Sequence, residues 1–385
     1  MKKICLLICT IFIITSCSSI KETSNTFKYD NNSFIFEDTI NAKDIIKNED
    51  YDIDNITLDT TKVGNNNVYI FYTKNGKNYK ELLSYDVKDI TEPLIWISKS
   101  YTYTLGSEDN LLDRILCADN YDKKPNCYIE GDYDFNTLGT YNLKYIAIDS
   151  SNNKEEANFT LNIIKEFETN NNNIETDKIL FSDIVNNYKT DDTMIGIDVS
   201  KWQGDIDWKK VKDAGCEFAI IRIGYQPDFD EDYELDPMFK QNIENALAND
   251  IKVGIYFYSY ATDSKEAIKE AKWVIKNIKD YDITMPIAFD WENYNYWNSL
   301  NISLYDLRQT SNAFLKTIKD NGYIPAMYGS KLYLNSFWSP IIYDTWVALY
   351  ADNNTYDQKY IMWQLANTGQ IDGINGDVDI DIYYK

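Results

Sequence analysis

Residues 285–294 read MPIAFDWENY. Met285 to Phe289 is a short apolar run, and it ends in two acids, Asp290 and Glu292, separated by one residue. Such a run reads as a strand buried on both faces. Along a strand, residues i and i+2 project to the same side roughly 6.6 Å apart, so Asp290 and Glu292 face one cleft together. Their mutual repulsion raises at least one of the two pKa values, as a general acid working near neutral pH requires.

The same texture recurs on either side. MIGIDVS (194–200), CEFAIIRIG (216–224), IKVGIYFYSY (251–260), YIPAMYG (323–329), TWVALYA (345–351), KYIMWQLA (359–366) and VDIDIYY (378–384) are further strand candidates. Between the earlier ones lie amphipathic stretches with Asp or Ser starts and Asn-Asp or Gly stops: IDWKKVKDAG (206–215), DPMFKQNIENALAND (236–250), DSKEAIKEAKWVIKNIKDY (263–281) and SLYDLRQTSNAFLKTIKDNG (303–322). These predict helices. Eight strands, with helices mainly in the first two-thirds, predict an irregular α/β, TIM-like barrel over residues 193–385, with its chemistry at the strands' carboxyl ends. Asp198 ends one strand there, Asp290 and Glu292 another, and the last strand carries Asp377, Asp379 and Asp381.

Composition narrows the chemistry. The 385 residues include no histidine. Ser-His-Asp and Cys-His nucleophiles, histidine-ligated zinc and histidine proton shuttles are therefore excluded, and acid/base work falls to carboxylates, tyrosines or lysines. With 61 Asp and Glu against 38 Lys and Arg, the net charge of −23 argues against nucleic acid as a partner. Contact with an anionic wall polymer would rest on aromatic stacking, for which 32 Tyr and 9 Trp are available. Paired carboxylates among aromatics suit cleavage of a glycosidic bond: one acid protonates the leaving oxygen and the other stabilises positive charge or acts as nucleophile. Trp202, Tyr225, Tyr328, Trp346 and Trp363 are candidates for stacking on sugar rings, with core packing the alternative for each.

The N-terminus, MKKICLLICTIFIITSCSS, combines Lys2 and Lys3 with an apolar stretch and small residues before Cys17. It reads as a signal peptide over residues 1–16, of the lipoprotein kind in which Cys17 is acylated and holds the protein on the outer face of a membrane. The mature charge is then 36 against 61, about −25. Cys117 and Cys127 bracket ADNYDKKPN, a polar loop that a disulfide can staple in an oxidising compartment, while Cys216 reads as a small buried hydrophobe.

From about residue 28 to 165 the chain has short alternating runs separated by Gly, Asn and Asp turns, an all-β pattern at sandwich spacing. LDTTKVGNNNVYIFYTKNG and YDFNTLGTYNLKYIAIDSSNN align as a degenerate repeat, which divides the region into modules at 28–90 and 91–165. The second resembles bacterial immunoglobulin-like surface repeats, which end much as GTYNLKYIAIDSSNN does, and the first reads as a shorter relative. Residues 166–192, rich in Asn and acids, read as a linker.

GIDVSKWQGDIDWKKVKDAGCEFAIIRIGY, PIAFDWE, TWVALYA, MWQLA and GINGDVDIDIYY together resemble glycoside hydrolase family 25, the N-acetylmuramidase type of lysozyme, over about residues 194–385. The resemblance implies catalytic roles for Asp198, Asp290, Glu292 and Asp379. Glu292 is implied as general acid, and Asp290 either as the group that orients the substrate's 2-acetamido function or as nucleophile, with Asp198 and Asp379 tuning the pair. Tyr225, Tyr258, Tyr328, Trp346, Trp363 and Gln364 are the corresponding substrate-binding candidates. Where family members usually carry Tyr-His-Phe on the third strand, this chain has Tyr256-Phe257-Tyr258. With this departure a polar contact to substrate is either lost or replaced by a tyrosine hydroxyl.

The expectation is thus an extracytoplasmic, membrane-anchored muramidase acting on peptidoglycan, with no metal or organic cofactor. Its rivals are a catalytically silent wall-binding lipoprotein and an adhesin that works through the β modules.

Overall fold

The structure is a computed structural model that describes residues 20–167, 178–227 and 231–385. Cys17 and the signal segment lie outside the described residues. The chain divides into two compact units, one ending at Thr91 and the other running from Glu92 to Lys385.

The first unit is built on one five-stranded sheet. Its centre is the antiparallel hairpin Gly64–Lys74 and Lys77–Lys88, with Asp52–Ile53 on one side and Lys21–Thr23 and Ser33–Ile35 pairing in parallel with the other. Among the described residues no second sheet faces it. The expectation of a sandwich at 28–90 is corrected to a single layer, whose strands bury Phe34, Ile70, Tyr72, Glu81, Leu83, Tyr85 and Val87 on one face.

In the second unit, residues 92–164 form a two-layer β module. A four-stranded sheet runs Ser100–Thr104, Lys154–Ile164, Gly139–Ile148, Asn126–Glu130, and a two-stranded sheet pairs Leu94–Trp96 with Leu116–Ala118. Tyr103, Leu143, Tyr145, Phe159 and Leu161 from the large sheet meet Ile95 and Cys117 from the small one. Cys117 is bonded to Cys127. The aligned repeats turn out to be the first strands of two antiparallel hairpins, each entered through a glycine at positive φ, Gly64 and Gly139.

The rest of this unit is an eight-stranded closed barrel: β1 Thr193–Val199, β2 Phe218–Tyr225, β3 Lys252–Tyr258, β4 Ile283–Asp290, β5 Pro325–Ser330, β6 Asp344–Ala348, β7 Met362–Gln370 and β8 Val378–Tyr384. All eight predicted strands are present. Helices α1 Trp208–Asp213, α2 Phe239–Ala248, α3 Ser264–Ile278 and α4 Leu304–Asp320 fill the first four connections. Asp207, Asp263 and Ser303 cap α1, α3 and α4 by accepting backbone N–H bonds.

Neighbouring strands from β1 to β7 are parallel, but β8 is antiparallel to both β7 and β1. The TIM-like expectation is corrected on this point. Only residues 371–377 join β7 to β8, too few for a parallel crossover, so the chain turns back on itself.

Alternation along the strands sorts two layers. Ile195, Ile197, Ala219, Ile221, Val253, Ile255, Ile287 and Phe289 point outward beneath the helices. Met194, Phe218, Ile220, Met285, Ala326, Trp346 and Met362 point inward and plug the barrel. Gly196 makes room for that plug, since a Cβ there would lie 2.6 Å from the Phe218 ring.

The linker reading of 166–192 is corrected over its second half. A strand at Ile179–Leu180 pairs with β7, and the helix Phe181–Tyr188 sends Phe181 and Ile184 into the barrel's outer core. Among the described residues no helix is long and apolar enough to cross a membrane.

Candidate active site

Above the apolar plug, the next inward positions are polar. Asp198 on β1, Arg222 on β2, Tyr256 and Tyr258 on β3, Asp290 on β4, Tyr328 on β5, Trp346 on β6, Gln364 on β7 and Asp379 on β8 line a cavity of about 220 Å³, with Trp202, Glu292 and Tyr350 completing its wall. Seven of these strands present their carboxyl ends here. Because β8 runs the other way, it presents its amino end, and its register sets Asp379 opposite Asp198.

Asp290 pairs in register with Tyr258, and its carbonyl accepts from the Ser259 N–H at 2.7 Å. Glu292 follows the end of β4 and stands exposed at the mouth. Trp291 between them turns into the outer core, so alternation keeps both acids on the cavity side. Their carboxyls are hydrogen-bonded to each other. Burial lifts Asp290 well above the carboxylate range, with the charge of Glu292 adding to it, and Arg222 works weakly against this. Glu292 is raised too, by the protein packed around it. The two carboxyls therefore titrate as a unit, with a shared proton held above the ordinary carboxylate range. Among the described residues no N–H or hydroxyl donates to the buried Asp290 Oδ1.

A second carboxyl group lies across the cavity. Burial, then the charges of Asp379 and Asp381, raises Asp198. Asp379 is pushed up to about 6, chiefly by burial. Gln364 Nε2 donates to Asp198 Oδ2 at 2.7 Å, while its Oε1 accepts from the hydroxyls of Tyr328 and Tyr350, each at 3.0 Å. Trp346 Nε1 donates to Asp381 Oδ1 at 2.8 Å.

Arg222 is the cation that faces this cluster. Asp236 anchors it through Nε at 2.7 Å and also accepts from the Lys201 N–H at 3.0 Å, which fixes the loop that carries Trp202. Trp202 is 75% exposed at the rim, beneath the Lys201 ammonium at 5.0 Å.

The structure thus gathers Asp198, Asp290, Glu292, Asp379, Tyr258, Tyr328, Trp346 and Gln364 around one cavity, together with Trp202. It does not bring Tyr225 or Trp363 into the lining. Tyr225 bonds Glu234 at 3.1 Å and lies under Arg222. Trp363 is buried in the outer core, donates to the Leu349 carbonyl at 2.8 Å and meets the edge of Tyr188. Asp381 and Tyr256, noted on their strands without an assigned role, belong to the site, together with Arg222 and Tyr350. Asp381 was visible two residues after Asp379, and Arg222 as a lone cation inside CEFAIIRIG. Tyr350 lies beyond the end of β6, where no periodicity marks it. Cys216 is buried, its thiol pushed up to about 12 by that burial, and inert.

The family model "Glycosyl hydrolases family 25" matches residues 197–374, which include Asp198, Asp290, Glu292 and Gln364. The chain is 29% identical over 203 residues to the protein YegX of Escherichia coli (strain K12), covering 50% of this chain and 70% of that protein. It is 24% identical over 191 residues to the autolytic lysozyme of Clostridium acetobutylicum, covering 49% of this chain and 55% of that one. A solved family 25 glycosyl hydrolase from Bacillus anthracis aligns with a TM-score of 0.43 and 21% identity, over 51% of this chain and 92% of that chain.

Proposed function

We propose, from the glycosyl hydrolases family 25 domain that residues 197–374 form, that this protein is a peptidoglycan hydrolase of the lysozyme type. Its target on this reading is the β-1,4 bond between N-acetylmuramic acid and N-acetylglucosamine. The observation that carries the reading is the pair Asp290 and Glu292, hydrogen-bonded to each other and raised by burial, at the mouth of a cavity walled by Tyr258, Tyr328 and Trp346. A carboxylic acid kept protonated near neutrality can hand its proton to the departing glycosidic oxygen, and a carboxylate beside it can stabilise the positive charge that develops on the sugar.

In the forward step the bond from the anomeric carbon to the bridging oxygen breaks, and Glu292 supplies the proton that the leaving alcohol keeps. Asp290 either holds the 2-acetamido group so that its carbonyl oxygen closes on the anomeric carbon, or attacks that carbon itself. Water then adds at the same carbon and returns a proton to Glu292. Burial raises Asp198, Asp379 and Asp381 above the ordinary carboxylate range, so the far wall offers carboxyl oxygens without three full charges. This arrangement suits a transition state with positive character.

Digestion of purified peptidoglycan followed by mass analysis of the borohydride-reduced products tests the bond assignment. Muramitol at the reduced end supports it, and glucosaminitol contradicts it. The same reading places the barrel outside the membrane on an acylated Cys17, and keeps an immunoglobulin-like identity for the 92–164 module. Labelled palmitate should enter the wild type and not Cys17→Ser.

A further inference from the structure

The small sheet of the β module has apolar side chains on both faces. Ile95 and Cys117 enter the module's own core, whereas Leu94, Trp96, Leu116 and Ala118 pack into the outer core of the barrel. The two cores therefore meet back to back across one pair of strands, an arrangement unlike a spacer joined by a tether.

The place of contact is specific. The Trp96 indole stacks on Tyr333 with centroids 4.7 Å apart and an 18° tilt. Tyr333 in turn stacks on Tyr294 at 3.5 Å and 6°, and Tyr294 lies two residues after Glu292. Trp338 Nε1 donates to the Tyr294 hydroxyl at 2.8 Å. Below this stack, the carbonyl of Cys117 accepts from Trp297 Nε1 at 3.1 Å, that of Ile115 from Asn298 Nδ2 at 3.2 Å, and that of Asp119 from the Leu304 N–H at 2.8 Å. Lys123 adds an ion pair to Asp306 at 3.0 Å.

The segment so gripped is weak by itself. It consists of a 3-10 turn at Asn293–Tyr296 and a single helical turn at Trp297–Leu300, far below the length at which a helix is self-supporting. A loop of that kind holds one geometry only when its neighbours impose it.

We propose that the β module at residues 92–164 is a positioning element of the catalytic site, with Trp96 as its contact residue, acting through Tyr333 and Tyr294 on the segment that holds Glu292. Trp96 touches no substrate on this account. The catalytic meaning of Glu292 rests on the muramidase reading, whereas the mechanical support of residues 292–304 does not.

The test uses the full chain and compares the wild type, Trp96→Ala and Trp96→Phe. Amide hydrogen exchange is followed in peptides that cover 292–304, and wall hydrolysis is followed against pH. In Trp96→Ala, exchange across 293–300 should quicken and kcat fall, each by about three- to tenfold, the scale of one lost aromatic stack. KM should stay close to wild type, and the pH limb set by the acid pair should move toward ordinary carboxylate values as water reaches the loosened segment. Trp96→Phe, which keeps a ring on Tyr333, should restore most of both. Wild-type exchange and kcat in Trp96→Ala overturn the proposal. Should that variant fail to fold, Asn298→Ala removes only the bond to the Ile115 carbonyl, and unchanged exchange in the same peptide overturns it equally. If the wild type itself does not hydrolyse walls, the muramidase reading falls, and exchange alone decides the support.

Discussion

Gln364 and Asp198 are joined by a hydrogen bond of 2.7 Å that fixes which way the glutamine amide points. With two tyrosine hydroxyls on its oxygen, the side chain can only offer its NH₂ to Asp198. Gln364 thereby ties β7, β5 and the loop after β6 to the aspartate on β1.

Gln364→Glu should lower the rate of wall hydrolysis by about 10- to 100-fold, since it exchanges a donor to a buried carboxyl for a further acid and leaves the Asp198 oxygen without its partner, a cost of about 1–3 kcal/mol. Steady-state kinetics on solubilised glycan checks this. A rate within about twofold of wild type, well under the factor of ten that 1.4 kcal/mol represents, would show that the tie is dispensable.

Asp379 should make the protein less stable as pH rises. Its folded pKa of about 6 stands above the ordinary 3.8, so the native state binds the proton more tightly than the unfolded chain does. The resulting stabilisation is complete below pH 3.8 and is lost as pH climbs through 6, amounting to about 3 kcal/mol at roughly 1.36 kcal/mol per unit. Urea denaturation of Asp379→Asn at pH 4 and pH 7 should show a smaller drop between the two than the wild type shows. An equal drop would count against this assignment.

Glu270 should act similarly over a higher window and away from the cavity. It sits fully buried on α3 and accepts from the Ser259 hydroxyl at 2.7 Å, and burial pushes it up to about 8. Stability contributed by its proton is intact below pH 4.5 and fades as pH passes 8. Glu270→Gln should flatten the fall in melting temperature between pH 6 and pH 9, by several degrees if about 2 kcal/mol is involved. Because the Ser259 N–H holds the Asp290 carbonyl and the Ser259 carbonyl accepts from Asn293, loss of activity above pH 8 should soften in the same variant.

How much of this was legible in the sequence follows from what each residue depends on. The eight strands were readable because each is a short apolar run whose burial is imposed locally by the pleat. Asp290 and Glu292 were readable because alternation alone puts them on one side. The reversal of β8 was not, because it arises from the short stretch at 371–377, and so the register that brings Asp379 and Asp381 to Asp198 was hidden. Trp363 and Gln364 are adjacent in MWQLA, yet one faces the outer core and the other the cavity, and the sequence does not say which is which. In LIW and LCA, unbroken apolarity over two short strands was the mark of a sheet buried on both faces, but its partner lies some 200 residues away in the chain. The helix Phe181–Tyr188 was obscured by the Asn and acid residues around it.

The central claim is that Asp290 and Glu292, holding a single proton between them, break a sugar linkage. Clearing of a purified cell-wall suspension by wild type and by Glu292→Gln, with folding of both verified by circular dichroism, tests it most directly. The account predicts clearing by the wild type that declines at alkaline pH, as the shared proton is lost, and a rate at least about 10²-fold lower for the variant, the usual share of a general acid. Equal clearing by both proteins, or none by either, would contradict it.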